Sequence, residues 1–210
     1  MGKGNKKLKK HDRISNESCG LPFGEYNEKF EIIREGEKRN LKDVKSDKNT
    51  FLPIKVNDKN VYVTEPDGKL IPDVKGQKKC DYLIYCQNKP QTCFVELKGA
   101  NISIKNNYNP YDQIMDTIKY LQSKDELKEL VDKKGGKHAF IVSPSRQNIP
   151  KGSNTKERQL WKKLILIGNE KGKQISDIVH YVKVTPSDKY SNHNQIICSA
   201  KSPIEIPFSN

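Results

Sequence analysis

No apolar run in the chain comes near the roughly 18 residues that a membrane span requires. The N-terminus carries Lys3, Lys6, Lys7, Lys9 and Lys10, but no apolar segment follows them, so it does not read as a secretory signal. A basic amphipathic helix with bulky aromatics is also missing, and with it the usual means of lying on a membrane surface. Cysteine is sparse and unpaired in spacing. Cys19, Cys80, Cys86, Cys93 and Cys198 make an odd count of 5 without one CxxC, which points to reduced thiols in a cytoplasmic protein. His11, His138, His180 and His193 are scattered and form no HExxH, so a histidine–zinc site is not expected. Gly135-Gly136 lacks the GxxxxGK[ST] pattern of a phosphate loop. Trp161, the one tryptophan, is most simply a core anchor.

What is present in excess is charge. Of 210 residues 31% are charged and 33% hydrophobic, and the formal net charge is +13. This length suits one domain with a real core. The positive excess favours a polyanionic partner, nucleic acid above all. Lys, Asn and Ile are abundant throughout, as AT-rich coding DNA would produce, so part of the excess is compositional.

Residues 1–18 are polar and basic without periodicity and read as a disordered tail; residues 19–210 form one domain, with its core at about 25–145. Phe23, Tyr26, Phe30 and Ile33 recur at helical spacing and predict a helix from Glu25 to about Lys38. Phe51 to Ile54 is a short edge segment, because Pro53 argues against a central strand. Val61 to Thr64 is a strand, and Glu65-Pro-Asp-Gly68 a turn. Asn109 as cap, Pro110 and Asp112 mark a helix start, with Ile114, Met115, Ile118 and Leu121 as its apolar stripe. Ser123 with Glu126 resembles a capping box that restarts a second helix. His138 to Ser143 is a buried strand, Asn154 to Ile167 a helix, Ile178 to Val184 a strand and Gln195 to Ser199 an edge strand. The expected class is α/β: a mixed central sheet flanked by helices.

The stretch Lys79 to Ala100 carries the chemistry. Two strands, Asp81 to Cys86 and Thr92 to Lys98, flank a polar turn and hold Asp81, Glu96 and Lys98 within apolar runs. A charge in a buried strand is costly unless paired or bound to metal. A four-residue turn, Gln87 to Pro90, sets Leu83 opposite Phe94 and Asp81 opposite Glu96, with Cβ atoms roughly 5 Å apart. A five-residue turn would set Asp81 opposite Leu97 instead. Lys98, two residues beyond Glu96, shares its face. Two facing carboxylates suit a divalent cation such as Mg²⁺ or Mn²⁺, and a neighbouring lysine can orient or deprotonate water, a set of parts fit for phosphodiester hydrolysis.

Asp81, fourteen residues, then Glu96-Leu97-Lys98 resembles the signature of the PD-(D/E)XK nuclease superfamily. The resemblance implies a restriction-endonuclease-like core: a helix, a three-stranded antiparallel meander, a helix and a further strand. It implies Asp81 and Glu96 as metal ligands with the Leu97 carbonyl, Lys98 acting on the attacking water, Mg²⁺ or Mn²⁺ as cofactor, and a glutamate from the first helix, Glu28 or Glu31. It carries Gln113 over from a glutamine on the following helix, with Tyr120 near the same face. Lys78 and Lys79, with Lys75, and Arg146 beyond the later strand are the expected nucleic-acid contacts. This chain departs from the family in having Cys80 where proline precedes the acid. Pro72-Asp73 makes Asp73 the alternative acid. A second Glu-Leu-Lys, Glu126 to Lys128, lies on an amphipathic segment and reads as surface. The implied activity is a DNA endonuclease in restriction or anti-phage defence, acting as a homodimer or beside other defence proteins. An RNA-processing nuclease and a non-catalytic nucleic-acid-binding or assembly protein are the alternatives.

Overall fold

A computed structural model describes residues 20–42, 50–59, 61–99, 109–132, 135–143, 153–185 and 196–209. The centre is a seven-stranded mixed sheet. Its strands are β1 (Glu31–Ile33), β4 (Val61–Thr64), β5 (Tyr82–Cys86), β6 (Gln91–Leu97), β7 (Gly136–Ser143), β8 (Val179–Val184) and β9 (Ile196–Cys198), in the spatial order β1-β4-β5-β6-β7-β8-β9. A second sheet has β3 (Phe51–Val56) between β2 (Lys38–Lys42) and β10 (Ile204–Ile206). Helices α1 (Pro110–Gln122) and α2 (Ser153–Ile167) complete the class, an α/β protein with helices flanking a mixed sheet.

The sheet separates two cores. Leu83, Tyr85, Phe94 and Ala139 point to the helices, where Ile114, Ile118, Leu121, Leu160 and Leu164 meet them. Ile84, Cys93, Val95, Phe140 and Val142 point the other way, onto Leu52, Ile54 and Ile206 of the small sheet. Strands covered on both faces need apolar residues at every position, which is why YLIYC and QTCFVEL show no alternation. β4, β5 and β6 form an antiparallel meander. From β6 onward the pairing is parallel. The change comes where α1 and α2 supply the crossovers that parallel neighbours require.

Several expectations are corrected. The helix predicted over Glu25–Lys38 is a 3-10 helix, Gly24–Lys29, followed by β1. Its supposed stripe is divided: Phe23 and Phe30 join the helix-side core and Ile33 the opposite one. Gly36 at φ 83° turns the chain between β1 and β2, which no helix would allow. Pro53 lies in the central strand of the small sheet, not on an edge. Its only strand neighbour is Asn40 on β2, because β10 begins pairing at Ile54, so the missing N–H breaks no ladder bond there. The Ser123 capping box is absent. The Ser123 hydroxyl donates back to the Tyr120 carbonyl at 2.7 Å, and Asp125–Val131 is 3-10 rather than α. β2 and β10 were not expected; KRNLK is too polar and IEI too short to read as strands. The N-terminal tail lies outside the described residues, as do Cys19, His11, His193 and Arg146. The four described cysteines are buried and free. No helix among the described residues is long and apolar enough to cross a membrane.

Candidate active site

The hairpin adopts the register of the four-residue turn. Cys86 pairs with Gln91, Leu83 with Phe94 and Tyr82 with Val95, where the ladder ends; Asp81, one residue before it, lies near enough for its charge to act on Glu96. The turn is anchored from outside: the Pro90 carbonyl accepts the Gly136 N–H at 3.1 Å, and a Cβ on Gly135 (φ 75°) would collide with Pro90. Asp81 stands just before β5. Its N–H donates to the Val95 carbonyl at 3.0 Å and its Oδ2 accepts the Leu97 N–H at 2.6 Å, which binds the acid to the end of β6.

Glu96 has the same strand parity as Phe94 and so faces the helices. It is 1% exposed. One oxygen, Oε1, forms an ion pair with the Lys98 ammonium; Oε2 has no well-formed hydrogen bond among the described residues, although the Asp81 backbone N–H lies near enough to favour the charged form. Burial, and then the Asp81 charge, pushes the Glu96 carboxyl well above the usual range, with Lys98 opposing. Cys80 is buried beside it, and burial followed by the Glu96 charge pushes its thiol up, so it stays protonated and inert.

Lys98, with its side chain 14% exposed, is held from the helix. Its Nζ donates to Gln113 Oε1 at 2.6 Å, and Gln113 Nε2 donates to the Lys79 carbonyl at 3.0 Å. Gln113 stands in the first turn of α1, which Asn109 starts by accepting the N–H groups of Tyr111 and Asp112 at 2.9 and 3.4 Å. One turn on, the Thr117 hydroxyl accepts the Cys80 N–H at 2.9 Å and donates to the Gln113 carbonyl at 2.9 Å. Thr117 therefore fixes both the approach to Asp81 and the helix that orients Lys98. Its one sequence signal is the four-residue spacing from Gln113.

Asp81, Glu96, Leu97, Lys98 and Gln113 are thus brought together, and the side chains of the other expected site residues that the structure describes are turned elsewhere. Glu28 has its side chain 76% exposed and pairs with Lys29 at 3.2 Å. Glu31 lies on β1 and pairs with Arg39 and Lys69. Without the predicted first helix, neither has an element to carry it to Glu96. Asp73, 95% exposed, pairs with Lys79 at 3.3 Å, so Asp81 is the acid that meets Glu96. The Lys79 side chain is 5% exposed, and Asp67 takes its ammonium at 2.8 Å. Lys78 donates to Asp112 at 3.1 Å. Tyr120 sits at the far end of α1, against Lys124. Sequence reasoning missed Asp112 as a brace: Lys156 of α2 also reaches both its oxygens, at 2.6 and 2.7 Å. Burial pushes Asp112 up, but Lys156 and Lys78 outweigh it and hold the carboxyl below the usual range.

A hard divalent cation fits this donor set in part. Two carboxylates converge, and one buried oxygen has no well-formed hydrogen bond, a position that costs free energy unless a cation or proton meets it. Among the described residues no group of three or more His, Cys, Asp and Glu could hold a metal, so further ligands would be backbone oxygen or water. Compared with protein-family models, with curated proteins and with solved structures, the chain finds no match.

Proposed function

We propose that this protein is a divalent-metal-dependent nuclease with a restriction-endonuclease-like core, most simply a DNA endonuclease of restriction or anti-phage defence. The observation that carries the reading is Glu96. A carboxylate in a fully buried strand, beside the Asp81 charge, paired with Lys98 and without a well-formed hydrogen bond to its second oxygen, has no structural use that an apolar residue would not serve better. Asp81, Glu96 and the Leu97 carbonyl would hold Mg²⁺ or Mn²⁺. The bound cation would supply charge stabilisation at the phosphodiester and acidify a water. Asp81 is fixed by the Leu97 N–H, so it needs no reordering to bind. Lys98, held on Gln113, would keep its ammonium at the site and orient the attacking water or the phosphate by donating from its Nζ. The net charge of +13 suits a polyanionic substrate.

The test is cleavage of plasmid DNA and single-stranded RNA with Mg²⁺, with Mn²⁺ and with chelator. Metal-dependent cutting that Glu96→Ala and Lys98→Ala each abolish is the expected result. Intact substrates throughout, or cutting indifferent to both substitutions, would remove the reading. One observation favours a second reading, a nucleic-acid-binding protein with a degenerate site: Glu28 and Glu31 are both turned elsewhere, into surface ion pairs. Salt-sensitive DNA binding that Mg²⁺ and Glu96→Ala leave unchanged would support it.

A further inference from the structure

The first turns of α1 and α2 are joined by the Lys156–Asp112 pair, next to the residue that holds Lys98. From that junction a groove runs along α2. Asn154, Glu157, Arg158, Trp161 and Lys162 recur at three- and four-residue spacing and form one stripe of the helix. Across from them lie the 172–176 segment, His180 and Tyr181 of β8, and Ile196 of β9. The groove encloses about 1150 Å³. A small-molecule pocket holds roughly 300–1,000 Å³, so an open track for several linked units is the better fit.

Its charge is one-sided. Arg158, Lys162 and Lys173 line it and are exposed, and among the described residues no carboxylate pairs with any of them. Glu157 is the one acid in the lining, and its Oε1 accepts the Tyr181 hydroxyl at 2.8 Å. Trp161 is half-buried, with its indole N–H donated to the Lys173 carbonyl at 3.2 Å. The ring packs in part against the helix-side core, and that bond ties its outer edge to the 172–176 segment. Cations along a backbone track with an aromatic platform between them are what an unpaired nucleic-acid strand requires. A duplex would present no free base face to the indole.

We propose that this groove binds a single-stranded nucleic-acid segment, phosphates on Arg158, Lys162 and Lys173 and a base against Trp161. This rests on the nuclease reading only for what the strand is doing there, namely leaving the candidate site past the α1–α2 junction.

The chain holds a single tryptophan, so its emission reports on the groove directly. The full chain is titrated with a twelve-residue oligothymidylate in chelator, following Trp161 emission and, in parallel, the anisotropy of a labelled oligonucleotide. Saturable quenching that weakens with salt at a log–log slope of about −2 is expected, the value for about three phosphates on a single strand. Arg158→Ala/Lys162→Ala is expected to weaken binding about tenfold and to lower the slope by roughly 0.7 per cation removed. Trp161→Ala, checked for folding by circular dichroism, is expected to weaken binding by anisotropy about tenfold, the loss of one stacked base. Absence of binding, binding without any change in Trp161 emission, an unaffected double variant, or equal competition by duplex each overturns the proposal. The two readings separate cleanly. Metal-dependent cleavage with unchanged KM in Arg158→Ala/Lys162→Ala removes the groove and leaves the nuclease. Quenching without cleavage in any metal leaves the groove and removes the nuclease.

Discussion

Lys98 and Glu96 are each placed at a cost that their neighbours offset. Glu96 is a charge in a dry strand, and Lys98 is the cation beside it. Gln113 keeps that cation from being committed wholly to Glu96, since it offers a second acceptor at 2.6 Å. Gln113→Ala is therefore expected to lower metal-dependent cleavage by about 10–100-fold, the range seen when a supporting residue is lost. Glu96→Gln should abolish cleavage and lower metal-free stability by about 3 kcal/mol, because it leaves the Lys98 ammonium in a mostly buried site with only neutral acceptors. Thermal unfolding in chelator reads this; a rise in Tm would contradict it. At this scale the sequence was highly legible. Asp81, Glu96 and Lys98 declare themselves as charges within apolar runs, and the turn length sets their facing. Glu28 misled, because a sequence pattern cannot say which element will carry a surface glutamate.

Between elements, α1 is the part that everything else positions. Thr117 ties it to Cys80, Gln113 to Lys98 and Asp112 to both Lys78 and Lys156. The Asp112–Lys156 bridge joins the first turns of the two helices, so it sets their relative position as well as adding attraction. A double-mutant cycle of Asp112→Asn with Lys156→Met is expected to return a coupling of about 1 kcal/mol, the upper part of the range for partly exposed pairs. Denaturant unfolding of the four proteins measures it, and a coupling indistinguishable from zero would mean that the pair is incidental. α1 was readable from cap and stripe, and α2 from its apolar stripe. The region before β1 was not. Phe23, Tyr26, Phe30 and Ile33 keep helical spacing, but the two sides of the sheet divide them, and spacing along a chain carries no information about which layer a side chain enters.

Across the whole molecule, the C-terminal segment closes the face opposite the helices. β10 completes the small sheet, and Gln91 holds the Phe208 backbone at both ends, with bonds of 2.8 and 2.6 Å. The Phe208 ring covers His138 and His180, which share a hydrogen bond at 3.0 Å. Burial first, then Lys173 and Lys137, lowers His138 to about 4. Burial and then His138 lowers His180 to about 3. Both rings are neutral in the fold but bind protons in the unfolded chain below about pH 6.5, so stability falls with pH from there toward the folded values. Unfolding free energy should drop by about 2 kcal/mol per histidine between pH 7 and pH 5, before the carboxylates contribute. His180→Leu is expected to reduce that slope, and an unchanged slope would place the pH dependence elsewhere.

The α/β class, the four-residue turn and the convergence of Asp81, Glu96 and Lys98 followed from the sequence alone. They depend on local rules: apolar runs bounded by turn residues, turn length and the cost of a charge in an apolar run. The second sheet, the 3-10 start, the Gln113 hold on Lys98 and the groove beside α2 were decided only by tertiary structure. Each depends on which surfaces meet across layers, and residues as distant as Gln91 and Phe208 meet only once the chain has closed.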